Sequence, residues 1–244
     1  MRTAVFSDIH GNCVALDAIL ADIKKLAVDS MVCLGDAIQG GAQPAETASR
    51  LREHRVPTVM GNADSWMLTG EDPGAKEPIS NAQREVRAWQ LSRLKQDDLD
   101  FISQFRSTIT LSLGERDLLC FHGSPSSFNE QIWPTTSEEE FVEMVGGHGN
   151  AILCGGHTHL QQLRRFNDSY FFNPGSVGFS WDHSESEEEL RADSWAEYAI
   201  VSSEGSSQAI EFRRVPFNTD EWLGITTASG RPHADEVVRR YSTR

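Results

Sequence analysis

The sequence predicts an α/β fold, and two observations carry that expectation. Short apolar runs alternate with amphipathic helical stretches through the first 61 residues, and side chains able to bind a metal fall directly behind the apolar runs. "RTAVFS" (2–7) reads as a buried strand. Leu16, Ile19, Leu20, Ile23 and Leu26 then recur at helical spacing and form one apolar stripe. "SMVCLG" (30–35) is a second buried strand. Pro44 opens a helix through "PAETASRLREH", because its fixed φ suits a first helical turn. "VPTVMG" (56–61) reads as a third strand, and this order implies a parallel sheet with right-handed crossovers.

Residues 65–106 break the alternation and look mainly helical, with Val86, Trp89 and Leu94 on one face. Strands return at "TITLSLG" (108–114) and "DLLCFHG" (117–123) around a glycine-containing turn. Ser137 and Glu140 form a capping-box pattern ahead of Phe141, Met144 and Val145. "NAILCG" (150–155) is a further strand. "QQLRRF" and "SYFFN" flank an Asn-Asp turn and read as a hairpin, and "EYAIVSS" (197–203) and "AIEFRRV" (209–215) supply the last strands. The reading is one domain over 1–244, with a helical insertion at 65–106, an acidic loop at 180–196 and a C-terminal segment at 216–244 that ends in a basic helix.

A chain of 244 residues with 39% hydrophobic and 24% charged content has the composition of an ordinary globular protein. No apolar stretch approaches the roughly 18 residues of a membrane helix, and the start "MRTAVFSDIH" lacks the layout of a secretory signal. Cys13, Cys33, Cys120 and Cys154 show no framework spacing, so reduced thiols in the cytoplasm are expected. The last three sit in apolar runs and read as small buried hydrophobes. A net charge of −14 disfavours polymeric phosphate, hence long nucleic acid. A small phosphate-bearing substrate fits if cations line one cleft, and bound metal ions would supply them. Neither a membrane partner nor a particular oligomer is indicated, although a homo-oligomer is the commonest assembly.

The donors cluster by position. Asp8 and His10 follow the first strand, Asp36 the second and Asn62 the third, while His122 follows "LLCF" and His157 and His159 follow "AILC". All seven lie just past strand ends, where open α/β sheets place their sites. In "CGGHTHL" (154–160), an extended backbone would send His157 and His159 to the same side.

"SDIHG", "GDAIQGG", "GNAD", "HGS" and "GGHTH", in that order, with "NPGS" (173–176) after them, resemble the motif blocks of the calcineurin-like metallophosphoesterases, in their small bacterial and archaeal form. The resemblance spans residues 7 to 176. It implies a four-layer αββα sandwich around a binuclear centre of two transition-metal ions (Mn, Fe or Zn). Asp8, His10 and His159 would hold one ion and Asn62, His122 and His157 the other. Asp36 would bridge them, with water or hydroxide as the second bridge. Asp8, Asp36, Asn62 and His122 would serve catalysis directly, with Asn12, Asp64, Asn173 and Ser176 as supports. A mixed nitrogen and oxygen donor set without thiolate suits such ions, and a metal pair can clamp phosphate and activate a water.

One departure stands out: many relatives carry a histidine after the asparagine of "GNAD", and this chain carries Ala63. A general acid contributes about 10²–10⁴-fold, so its loss disfavours monoesters with poor leaving groups. The resemblance therefore implies hydrolysis of phosphodiesters before phosphomonoesters. Asp64 and His183 are the candidate replacement acids, with a helix cap as the plain reading of Asp64. Trp133 is a candidate for the substrate entrance. The alternative is a non-catalytic metal-binding scaffold on the same fold, like the small metallophosphoesterase-fold subunit of the retromer coat.

Overall fold

The computed structural model describes residues 1–72, 74, 78–148, 151–181, 190–205 and 207–241. Two sheets stack at its centre. The first has strand order β2-β1-β8-β9, from β1 (Arg2–Phe6), β2 (Ser30–Cys33), β8 (Trp195–Glu204) and β9 (Ser207–Pro216). The second has order β3-β4-β5-β7-β6, from β3 (Ile109–Ser112), β4 (Asp117–Cys120), β5 (Ile152–Cys154), β6 (Gln162–Phe166) and β7 (Ser169–Asn173).

Strand alternation explains why there are four layers. Successive side chains of a strand point to opposite faces. On β1, Ala4 and Phe6 join one apolar cluster with Leu16 and Ile19 of helix α1 (Cys13–Ile23), whereas Val5 joins another between the sheets. On β4, Leu118 and Cys120 enter that inter-sheet cluster, and Leu119 packs outward with Phe141 and Val145 of helix α6 (Glu138–Val145). Three apolar seams therefore separate helix, sheet, sheet and helix, as expected. Full burial of side chains such as Phe6, Leu16 and Ile19 stabilises the fold by about 1.5–3 kcal/mol each. All four cysteines are free and buried, and Cys120 and Cys154 face one another across the β4–β5 pairing with Sγ atoms 3.4 Å apart.

Two strand expectations change. The first sheet is mixed: β1 pairs parallel with β2 but antiparallel with β8. The 56–61 run makes only isolated bridges, Thr58 to Cys33 and Val59 to Arg106. Pro57, which has no N–H, still accepts from Cys33 N, so the segment pairs over too few residues to form a strand.

The remaining helices are α2 (Pro44–Glu53), α3 (Asn62–Thr69), α4 (Asn81–Arg93), α5 (Gln96–Ile102), α7 (Thr219–Ala228) and α8 (Ala234–Tyr241). Both reciprocal bonds of the predicted capping box at Ser137 and Glu140 are made. The Asn-Asp hairpin is present, with Asn167 at φ 51° between β6 and β7. Most of the acidic stretch, 182–189 with His183, lies outside the described residues. Among the described residues no helix is long and apolar enough to cross a membrane.

Candidate metal centre

The loops behind β1, β2, β4 and β5, with the start of α3, converge at one end of the two sheets. Backbone bonds lock the first two loops together: Asp8 N donates to Gly35 O, His10 N to Asp36 O and Gly11 N to Ala37 O, all within 3.0 Å. Five of the seven predicted donors then adopt a left-handed backbone, at φ 55° for Asp8, 48° for His10, 48° for Asp36, 69° for His157 and 57° for His159. Each such non-glycine residue costs of order 1–3 kcal/mol, a strain that clusters at functional sites. This corrects only the extended backbone read for "GGHTH": His157 and His159 line one cavity as expected, in two different donor groups, but from a left-handed backbone and not through strand alternation.

The seven side chains come together as two groups. Asp8, His10 and His159 present donor atoms within 4.8 Å of one another, and so do Asp36, His122 and His157. Asn62 Oδ1 lies 3.1 Å from His122 Nε2, which puts the amide at the second group. Asp36 Oδ2 lies 3.4 Å from His122 Nε2 and 3.9 Å from His10 Nε2, so this carboxylate touches both groups.

The protons identify what the arrangement lacks. Nδ1 of His10 donates to Gln39 O at 2.8 Å, that of His122 to Leu34 O at 2.9 Å and that of His159 to Phe179 O at 2.7 Å. A carbonyl only accepts, so Nδ1 carries the hydrogen, and whenever the ring is neutral its Nε2 turns a bare lone pair inward. His10 Nε2 and His159 Nε2 then oppose each other at 3.1 Å. His122 Nε2 faces the oxygens of Asn62 and Asp36. Asp8 Oδ1 is buried without a hydrogen-bond partner, 3.3 Å from His159 Nε2 but not aligned for a bond. So many acceptors in one place are stable only around cations, and the residues fit two metal ions.

The titration behaviour shows the same demand for positive charge, which a proton on His122 meets in part when no ion is bound. Burial would raise the Asp8 carboxyl, but His159 and His122 beside it bring it down to about 2. Burial also opposes ionisation of Asp36, and His122, His10 and His157 outweigh it and lower its pKa. His157 is lowered to about 4, by burial first and then by the charge of His122. Burial would lower His122, yet Asp36 and Asp8 lift it to about 9. The carboxylates stay ionised and ask for positive charge.

Supporting contacts come from far along the chain. Asn12 caps α1 by accepting from Ala15 N at 3.0 Å and also donates to Gly178 O at 3.3 Å. Asn173 Nδ2 donates to Gly156 O at 2.6 Å and Thr158 Oγ1 at 3.0 Å, which holds the "GGHTH" loop. Ser176 Oγ donates to Asp8 O at 2.8 Å. Asp64 is neither the helix cap, a position held by Gly61, nor a free acid. Its two oxygens accept from Ala37 N and Ile38 N at 2.9 Å, in a fully buried position. Sequence reasoning missed Gln90 on α4, whose amide bonds Ile38 O, Gly41 O and Gly40 N and so fixes the loop behind Asp36. Gly61 is required sterically: a Cβ there would overlap Asp36 Oδ1 and its backbone nitrogen.

A cavity of about 340 Å³ opens beside the donors, with His10, Asp36, His157 and His159 on one wall. Trp222 of α7, Arg231, and Val237, Arg240 and Tyr241 of α8 form the facing wall. Trp133 is not among its lining residues; the tryptophan at the cavity is Trp222.

A sequence model of the calcineurin-like phosphoesterase superfamily domain matches residues 1–191. An uncharacterised protein of Methanocaldococcus jannaschii is 28% identical over 190 residues, which are 72% of this chain and 75% of that one. Phosphodiesterase YfcE of Escherichia coli is 26% identical over 187 residues, 72% of this chain and 79% of its own. Among solved structures, a metallophosphoesterase from Sphaerobacter thermophilus aligns at a TM-score of 0.75 and 25% identity, covering 98% of this chain and 97% of its own.

Proposed function

The chain belongs to the calcineurin-like phosphoesterase superfamily, and from that premise we propose that it hydrolyses phosphodiesters, in preference to phosphomonoesters, at a pair of metal ions. Asp8, His10 and His159 would hold one ion, Asn62, His122 and His157 the other, and Asp36 both. The observation that carries this reading is the set of ligand atoms turned inward, above all the 3.1 Å approach of His10 Nε2 to His159 Nε2 and the unpartnered Asp8 Oδ1. When bound, Mn, Fe or Zn would polarise the phosphoryl oxygens and lower the pKa of a water toward about 7.

The chain's own residues set the substrate preference. Ala63 offers no proton to a leaving group. The oxygens of Asp64 are occupied by backbone amides, so it cannot turn toward the cavity without giving up two hydrogen bonds. A leaving group must then depart with little help, which favours diesters with acidic alcohols over alkyl monoesters by a share of the about 10²–10⁴-fold that a general acid supplies. Phosphodiesterase YfcE supports a diester substrate by relatedness. His10, His122 and His159 are held in one tautomer by Gln39, Leu34 and Phe179, which keeps Nε2 available as a ligand atom.

The test is hydrolysis of bis-p-nitrophenyl phosphate and p-nitrophenyl phosphate by one Mn²⁺-loaded preparation, with an EDTA-treated blank. The expected result is turnover of the diester that EDTA abolishes and that exceeds turnover of the monoester. Equal or faster monoester turnover would overturn the preference, and EDTA-insensitive hydrolysis would overturn the metal reading.

A further inference from the structure

Most of the wall facing the metal donors is built from residues beyond the family match at 1–191, and it carries cations in a chain whose net charge is −14. Several arginines elsewhere pair with a carboxylate, Arg50 with Asp17, Arg52 with Asp98, Arg164 with Glu138, Arg213 with Asp22 and Arg214 with Glu197, and others, such as Arg87 and Arg93, bond backbone carbonyls away from the cavity. Arg231 and Arg240 are set apart by their place. Among the described residues no carboxylate oxygen lies within 4.0 Å of either guanidinium, although both line the cavity.

Each is positioned by its neighbours. Arg231 Nε donates to Gly40 O at 2.7 Å, on the loop that carries Asp36, and one terminal nitrogen donates to Pro232 O at 2.7 Å and His233 O at 3.1 Å. These bonds fix its direction with neutral acceptors. Burial is the first cause that lowers its pKa; the charge of Glu236 opposes that shift and the charge of Arg240 adds to it. Arg240 lies over the Phe179 ring with its guanidinium carbon 5.1 Å from the centroid, and the other neighbour of that ring is the His159 imidazole at 6.0 Å. One aromatic ring therefore separates the Arg240 charge from a metal donor. Between the cations the cavity wall is apolar, formed by Trp222, Phe179, Val237 and Tyr241.

We infer that this wall binds the part of the substrate that carries a second anionic group, with Arg240 contacting that group and Arg231 adding fixed positive potential. Resting on the phosphoesterase reading, the inference narrows the substrate to a nucleotide-like phosphodiester: one phosphate at the metals, an aromatic body against the apolar wall and a second phosphate at Arg240. A guanidinium beside an apolar wall recognises planar, multiply charged phosphate compounds better than small neutral esters.

The experiment is calorimetric binding of adenosine 3′,5′-bisphosphate and adenosine 3′-monophosphate to the metal-loaded full chain, as wild type, Arg240→Gln and Arg240→Lys. The wild type is expected to bind the bisphosphate at least about tenfold more tightly, the scale of a hydrogen bond to a charged group. Arg240→Gln should bring the two affinities to within about threefold, and Arg240→Lys should retain part of the preference. The inference fails if the wild type does not prefer the bisphosphate, if Arg240→Gln leaves the ratio unchanged, or if it weakens both ligands equally. Hydrolysis of bis-p-nitrophenyl phosphate is followed in parallel on the wild type. Its absence would overturn the phosphoesterase reading, while the affinity ratio still decides the role of Arg240.

Discussion

On one side of the cavity His10, Asp36, His157 and His159 stand on loops with strained backbone; on the other Trp222, Arg231, Arg240 and Tyr241 stand on two helices and the turn between them. The first side is fixed several times over. Its loops bond to one another, Asp64 and Gln90 hold the segment 37–41, and Asn173 and Ser176 hold the other two loops. The second side is held by packing of α7 and α8 on the first sheet's apolar seam and by single bonds to separate loops, such as Arg231 Nε to Gly40 O at 2.7 Å and Tyr241 Oη to Gly178 O at 3.0 Å. Donor atoms that must converge within a few ångströms need redundant constraint, whereas a wall that only shapes a ligand does not.

Breaking the donor side should have the largest effect. Asp36→Asn is expected to lower phosphodiester hydrolysis by about 10²–10³-fold or more and to reduce bound metal, read by elemental analysis of the purified variant. Full activity would sink the shared-carboxylate assignment. Ala63→His is expected to raise p-nitrophenyl phosphate turnover by up to about 10²-fold, measured against the diester on the same preparation. Gln90→Ala leaves Gly40 N, Ile38 O and Gly41 O without their partner. It should cost about 1–3 kcal/mol, a lower melting temperature accompanied by reduced turnover.

On the wall side, Tyr241→Phe removes only the bond to Gly178 O. The expected loss is about 1 kcal/mol, or about 2–4 °C in melting temperature for a chain of this size, with diester turnover hardly altered. A fall in turnover as large as that of Gln90→Ala would erase the contrast between the two sides. The smallest effect belongs to His54→Ala, since His54 is exposed at the end of α2 and belongs to neither donor group. Unchanged activity and melting are expected there.

The same contrast explains what the sequence disclosed. Donor residues are few in type, must follow strand ends and need glycine beside them, so Asp8, Asp36, His122 and His157 are legible as a set. The four layers are legible only through the family resemblance. Runs such as Leu118–Cys120 say that both faces of a strand are buried, but which strand lies alongside is a long-range matter, as β8 beside β1 shows. Asp64 and Gln90 act on backbone groups 26 to 52 positions away, and such bonds leave no periodic trace. The α8 wall is equally silent, because nothing in "DEVVRRY" tells which residue will meet a distant loop. Trp133 was a plausible entrance residue by its distance from His122 in the chain, yet Trp222, 100 positions from that histidine, occupies the cavity.

The left-handed backbone at five donor positions has a consequence for directed evolution of this protein. Glycine enters that region freely, and asparagine, aspartate and histidine at less cost than other side chains, while β-branched residues are outliers there. Saturation libraries at Asp8, His10, Asp36, His157 and His159, sorted for soluble expression without any demand for catalysis, should therefore be enriched in Asn, Asp, His and Gly and depleted of Val, Ile and Thr. Part of the residue choice at these codons would then reflect folding before it reflects chemistry.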